Sequence, residues 1–215
     1  MPVIEAKELD AAGAYRLLVG IVVPRPIAWI TTLDGEGRVN AAPFSCYTFV
    51  CNRPPMLAVN LGRREGELKD TARNVRERRE FVVNVVTEAL IAPMHGSSSE
   101  YPPEVSETER LGIELAPSRL VAPPRVAASP IALECRLERV VELGELRNDL
   151  VIGEVVVFHV ADAVYADGRV DMRKFQPLAR LGGPYYARLG EIIAMPKAGD
   201  FGPRAAAGKT GEKPR

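Results

Sequence analysis

Apolar positions along this chain recur mostly at the two-residue spacing of strands, and only one stretch carries a strong helical stripe. Ile27 to Leu33 reads as a strand, because it is rich in β-branched and aromatic residues and Pro24 and Pro26 bar a helix just ahead of it. Asp34-Gly35-Glu36-Gly37 is a turn signal, and Val39 to Ala42 returns as the second arm of a hairpin. Pro54-Pro55 closes the loop that follows, and Met56 to Leu61 reads as a third strand. Phe81 to Val86 is a buried strand whose one polar member is Asn84. In Ile131 to Val141, residues Ile131, Leu133, Cys135 and Leu137 face one way and Glu134, Arg136 and Glu138 the other. Val151 to Val160 is a further strand, with a turn at Ala166-Asp167-Gly168 beyond it.

The helical stripe lies in Glu67 to Arg79, where Leu68, Ala72 and Val75 share a face and Arg76, Glu77, Arg78 and Arg79 form the outer one. Residues 8–20 read as a short helix or turn ending at Gly20, with Tyr15, Leu17 and Leu18 as its apolar members. Residues 93–130 are rich in proline and hold the run Ser97-Ser98-Ser99, which predicts a long irregular excursion serving as a lid or an interface segment. Many strands and one good helix point to a mainly β fold, a β-barrel with a few helices. A single domain over residues 1–198 is expected, followed by a disordered tail over 199–215 that is rich in Gly, Ala, Lys and Pro.

Composition narrows the function classes. Lys plus Arg and Asp plus Glu are equal at 28 each, so no net field draws the molecule to nucleic acid or to an anionic membrane. Three cysteines with no CxxC pair argue against a disulfide framework or a zinc knuckle and favour a reducing, cytoplasmic setting. No secretory signal opens the sequence, and no run of about 18 apolar residues is present to span a membrane. Two distant histidines, His95 and His159, do not make a metal site.

Two short stretches carry the candidate chemistry. Pro24-Arg25-Pro26-Ile27-Ala28-Trp29-Ile30-Thr31-Thr32 ends an apolar strand in two hydroxyls. Lys69-Asp70-Thr71 follows Arg63-Arg64 and opens the helical stripe, which suits a phosphate: a point charge, a hydroxyl and helix N–H groups in one place. The plain alternative is a helix start capped by Asp70 or Thr71. Gly208-Lys209-Thr210 lacks the glycine spacing of a phosphate loop, and Gly35-Glu36-Gly37 lacks the third glycine of a dinucleotide fingerprint.

The order of these segments resembles a known family. PRPIAWITT, then Asn40-Ala41-Ala42-Pro43-Phe44-Ser45, Arg53-Pro54-Pro55, Lys69-Asp70-Thr71-Ala72-Arg73-Asn74 and Glu80-Phe81-Val82-Val83-Asn84 look like the flavin reductase-like proteins, the FMN-binding split barrels that include flavoredoxins. Ser129 to Cys135, Gly153-Glu154-Val155 and Arg180-Leu181-Gly182-Gly183 with Tyr186 also fit, so the likeness covers about residues 15–190. It implies a Greek-key split barrel, a homodimer and FMN near the subunit boundary. It also implies NADH or NADPH as hydride donor, with electrons passed on to oxygen, free flavin, a metal complex or a partner oxygenase.

On that footing the candidate cofactor residues are Trp29, Ile30, Thr31, Thr32, Phe44, Ser45, Cys46, Asn60, Gly62, Arg63, Arg64, Lys69 and Thr71. No catalytic side chain is required, since the flavin carries the chemistry. His159 is a candidate on the nicotinamide side or, equally, a satisfied barrel histidine. Trp29 reads as a flavin partner or as core, and Cys46 as a redox thiol or a small bystander. An FMN electron carrier that does not oxidise nicotinamide, and a non-catalytic barrel for another phosphate-bearing aromatic, remain as alternatives.

Overall fold

The computed structural model describes residues 1–102 and 104–196; the predicted tail from Gly199 lies outside the described residues. Seven strands form one antiparallel sheet: β1 Ala28–Leu33, β2 Val39–Phe44, β3 Tyr47–Asn52, β4 Pro55–Leu61, β5 Glu80–Val85, β6 Ile131–Leu143 and β7 Asn148–Val160. Their spatial order is β2-β1-β5-β6-β7-β4-β3. The two edge strands, β2 and β3, are consecutive in sequence and joined only by Ser45-Cys46. The sheet therefore curls until its edges meet without pairing, and the seam opens at this two-residue link. Edge strands leave backbone groups without ladder partners; on β2 Glu107 accepts from Ala41 N–H at 3.0 Å and Ser106 Oγ donates to Val39 C=O at 2.6 Å, so the part left for a ligand is the seam end near Ser45-Cys46.

Register assigns the faces. Trp29 pairs with Pro43 and Asn84, Asn84 with Ala132, and Ala132 with His159, so these residues share the outer face. Ile30, Val83 and Leu133 form the next row, which faces inward with Ala28, Phe44, Val59, Phe81 and Val151. Helix α2, Asp70–Arg78, packs Ala72 and Val75 into this inner core. Trp29 packs on the outer side with Ile27, Val86, Met94 and Val126.

Four features depart from the expectation. Tyr47 to Asn52, expected as loop, is strand β3, an edge strand whose Phe49 is exposed. The helix expected from Glu67 begins at Asp70, because Leu68 packs against the core from the preceding turn. Helix α1, Ala11–Ile21, forms near its expected place behind an Asp10 cap that accepts from Gly13 N–H at 2.6 Å, but Tyr15, Leu17 and Leu18 are exposed. Glu134, read as one of the polar face of its strand with Arg136 and Glu138, is 0% exposed.

The proline-rich excursion explains that burial. It begins inside helix α3, Ile91–Gly96, and holds a two-residue pairing of Leu115–Ala116 with Arg125–Val126. Its stretch from Ser118 to Pro124 lies on the outer face of the sheet. There Arg119 and Leu120 donate backbone N–H bonds to the Glu134 carboxylate, both at 2.6 Å, and Ala122 N–H donates to Glu80 at 2.9 Å. Part of the excursion is thus an outer wall of the barrel.

Candidate functional site

The start of α2 is built unusually. Its N-cap residue is Lys69, extended at φ −67° and ψ 155°, and no side chain accepts from the first turn. The first helical bond runs from Arg73 N–H to Lys69 C=O at 3.0 Å, so the N–H groups of Asp70, Thr71 and Ala72 have no intrahelical partner. Caps are normally Ser, Thr, Asp or Asn, which accept hydrogen bonds; lysine only donates. The Lys69 ammonium is half-buried, 5.8 Å from the centre of the Phe44 ring, and makes no hydrogen bond or ion pair among the described residues. Burial and the neighbouring charge of Arg64 hold its pKa below the ordinary lysine value, against a smaller opposing effect of Glu100. A cation beside a helix N-terminus is repelled by the dipole. An anion between them relieves both the bare N–H groups and the repulsion.

The seam lies next to this cation. Phe44 is buried at the end of β2, Ser45 is half-buried and Cys46 is exposed. The β3–β4 ladder extends one step past Tyr47, with Asn60 N–H donating to Cys46 C=O at 2.8 Å. The side-chain oxygen of Asn60 is buried and has no hydrogen-bond partner among the described residues, an orphan acceptor of the kind a ligand N–H satisfies. Behind Ser45 stands Arg25, buried, with Nε donating to Ser45 Oγ at 3.3 Å. Beyond Tyr47 a mostly apolar cleft of about 280 Å³ opens, lined among others by Pro26, Leu57, Leu133, Val155 and Phe158. A second groove, of about 200 Å³, runs along α2 past Asp34, Glu36, Asp70, Glu77 and Glu107, and its acids disfavour an anion there.

The candidate hydroxyls separate. Successive strand residues point to opposite faces, so Thr31 and Thr32 cannot serve one ligand. Thr31 is outward, donating to Pro124 C=O at 2.5 Å and accepting from Asn84. Thr32 is inward, accepting from Asn40 Nδ2 at 3.3 Å and Asn74 Nδ2 at 3.0 Å, and Asn40 Nδ2 also donates to Thr71 Oγ1 at 2.9 Å. Both Thr32 and Thr71 are buried. Their side chains brace the helix start from behind, leaving Thr71 its backbone N–H for a ligand.

Four other expected residues, Trp29, Ile30, Arg63 and His159, do not reach the seam. Trp29 is fully buried and donates Nε1–H to Ser97 Oγ at 2.9 Å; it is core. Ile30 is inner core, in a strand paired on both sides. Arg63 Nε donates to Arg147 C=O at 2.7 Å, and its guanidinium turns toward Asp149 and Glu142. Gly62 has no positive φ, and a Cβ there would only make ordinary contact with Asn148 at 3.8 Å, so glycine is not required. His159 lies on the outer face and bonds Glu134 through Nε2 at 2.5 Å. Arg64 stays near Lys69, exposed and paired with Glu100 at 2.9 Å. Arg25 and Asn40 join the site although no role was expected of them; the available signal was one charge set between two prolines in an apolar run.

Fold and seam together define a split β-barrel with an anion-ready helix start beside a polar, unpaired sheet edge. The chain belongs to the flavin reductase like domain family, which matches residues 20–178. Nitrilotriacetate monooxygenase component B from Bacillus cereus is 38% identical, with a TM-score of 0.88 over 91% of this chain and 98% of that one. The 2-nitrobenzoate 2-nitroreductase NbaA of Pseudomonas fluorescens is 34% identical, with a TM-score of 0.84 over 95% and 100%. A split-barrel protein of Shewanella frigidimarina, 22% identical with a TM-score of 0.80 over 92% and 100%, shares the fold. No described helix is long and apolar enough to cross a membrane.

Proposed function

We propose that the protein is an FMN-binding oxidoreductase that takes hydride from NADH or NADPH onto a flavin held at the barrel seam. The observation that carries this reading is the lysine-capped start of α2, bare of acceptors, set against the Phe44-Ser45-Cys46 seam with its orphan Asn60 oxygen. FMN fits both ends: a phosphate for Lys69 and the N–H groups of residues 70–72, and a ring edge bearing donors and acceptors for Ser45, Asn60 and the backbone at Cys46. When bound, the flavin supplies the capacity to accept hydride and release electrons.

The residues bind and orient. Lys69 neutralises phosphate charge, Phe44 shields the lysine stem, and the apolar cleft beside Tyr47 keeps water from the ring. A second copy of the chain would cover the exposed Phe49 and Phe158 that line this cleft, which supports a homodimer with the flavin near its boundary. The likeness to a monooxygenase component supports transfer of reduced flavin to a partner oxygenase as the onward step.

The test is spectroscopic. Purified protein mixed with FMN should perturb and retain the yellow absorbance, and anaerobic NADH or NADPH should bleach it. Retention without bleaching by either nucleotide would leave an electron carrier in place of a reductase. No retention and no turnover with added flavin would remove the reading altogether.

A further inference from the structure

Arg25 is the most unusual charge in the molecule. It is 7% exposed, and its guanidinium has no carboxylate within ion-pair distance among the described residues. Nη1 donates to the carbonyls of Val19 at 2.8 Å and Val22 at 2.7 Å, Nη2 to Leu181 C=O at 3.0 Å, and Nε to Ser45 Oγ at 3.3 Å. The first two carbonyls close the C-terminal end of α1, whose dipole offsets part of the charge. The remaining positive charge is not neutralised, and in a buried setting it is felt over several ångströms.

The direction of the Ser45 bond matters. Arginine only donates, so the Ser45 oxygen must accept from Nε, and the hydroxyl proton is left for a group on the other side. That side is the seam. An arginine used only to close α1 needs the two helix carbonyls and Leu181; it does not need the hydroxyl.

We infer that Arg25 is a positioning residue for the flavin: it fixes Ser45 as a hydrogen-bond donor to the ring and stands behind it as an unneutralised positive charge. This rests on the FMN reading above. Two electrons and one proton added to the oxidised ring leave one net negative charge. A donor backed by a cation stabilises that state more than the neutral oxidised one. Arg25 therefore raises the reduction potential of bound FMN, acting through Ser45.

The test uses the full chain loaded with FMN. Oxidised FMN affinity is read by fluorescence quenching, and the midpoint potential by anaerobic dithionite titration against a reference dye. Arg25→Gln and Ser45→Ala should each weaken reduced FMN about tenfold more than oxidised FMN, a fall of about 30 mV for a two-electron couple. The double variant should fall no further than the larger single one, because the two act as one unit. Arg25→Lys keeps the charge and should recover part of the potential. Ser45→Ala leaves the α1 contacts of Arg25 untouched, so it decides the matter even where Arg25→Gln fails to fold. An unchanged potential in FMN-loaded Ser45→Ala overturns the inference alone. Absence of FMN binding in the unaltered protein overturns the functional reading, and the inference with it.

Discussion

Replacing Lys69 with methionine should move ligand affinity and the stability of the empty protein in opposite directions. A half-buried ammonium with no partner stands at the start of α2, where the dipole repels it. Removing that repulsion should stabilise the ligand-free protein by about 0.3–1 kcal/mol, the range for one charge at a helix end. The same change should cost FMN about 1.5–3 kcal/mol, the value of a hydrogen bond to a charged group, or roughly ten- to 150-fold in Kd. Riboflavin, which has no phosphate, should lose nothing. The comparison needs fluorescence titrations with both ligands and urea unfolding of the ligand-free proteins.

A pH series adds a signed check. The unfolded chain binds the Lys69 proton more tightly than the folded one, since the folded pKa lies below 10.5. Lys69 therefore penalises the empty protein at neutral pH, and the penalty fades as pH rises through the lowered value toward 10.5. The stability gap between Lys69→Met and the unaltered protein should shrink over that window. Equal losses for FMN and riboflavin, or a large loss of stability without ligand, would show that Lys69 is a structural cap and refute the anion-site argument.

Three further outcomes test the frame around the site. In Gly153→Ala the new Cβ would sit 2.5 Å from Cζ and 2.8 Å from Cε1 of the fully buried Phe81, so a cost of about 1–3 kcal/mol is expected from overpacking; a change within ~0.5 kcal/mol in urea unfolding would mean the ring has room to move. Asp149 is fully buried and receives Arg76 Nε at 2.7 Å, so Asp149→Ala should cost about 3 kcal/mol by removing the buried partner of Arg76 and Arg63 and leaving them the half-exposed Glu142; thermal unfolding at unchanged Tm would contradict this. Burial pushes the Glu134 carboxyl up, but hydrogen bonds from His159, Arg119 and Leu120 outweigh it and hold the group below its ordinary 4.5. Its stabilisation is thus complete above that value and lost as pH falls through the folded pKa. Glu134→Gln should lie below the unaltered protein at neutral pH and converge with it in acid, and parallel stability curves would count against the carboxylate as anchor of the outer wall.

Much of the local structure was legible one residue at a time. The alternation in Ile131 to Leu137, the Asp34 to Gly37 turn and the helical stripe at Ala72 and Val75 are local patterns, and local patterns survive without knowledge of the rest of the chain. Lys69 at a helix start was readable for the same reason, within three residues of the observed boundary. Alternation alone also separates Thr31 from Thr32. It does not say what covers each face.

That second question belonged to tertiary structure. Glu134 follows the solvent-facing rhythm of its strand, yet the segment that buries it arrives from residues 118–124 and brings backbone donors to its carboxylate. Trp29 is core because α3 and the outer layer close over it, and Arg63 turns to Asp149 because β7 carries a buried acid beside it. The seam at Ser45-Cys46 exists only once seven strands have curled far enough for the first and last to meet. The physical reason is that periodicity records which side of an element a residue takes. Burial, pairing and charge compensation depend on contacts between segments far apart in the chain, and only the folded molecule brings those segments together.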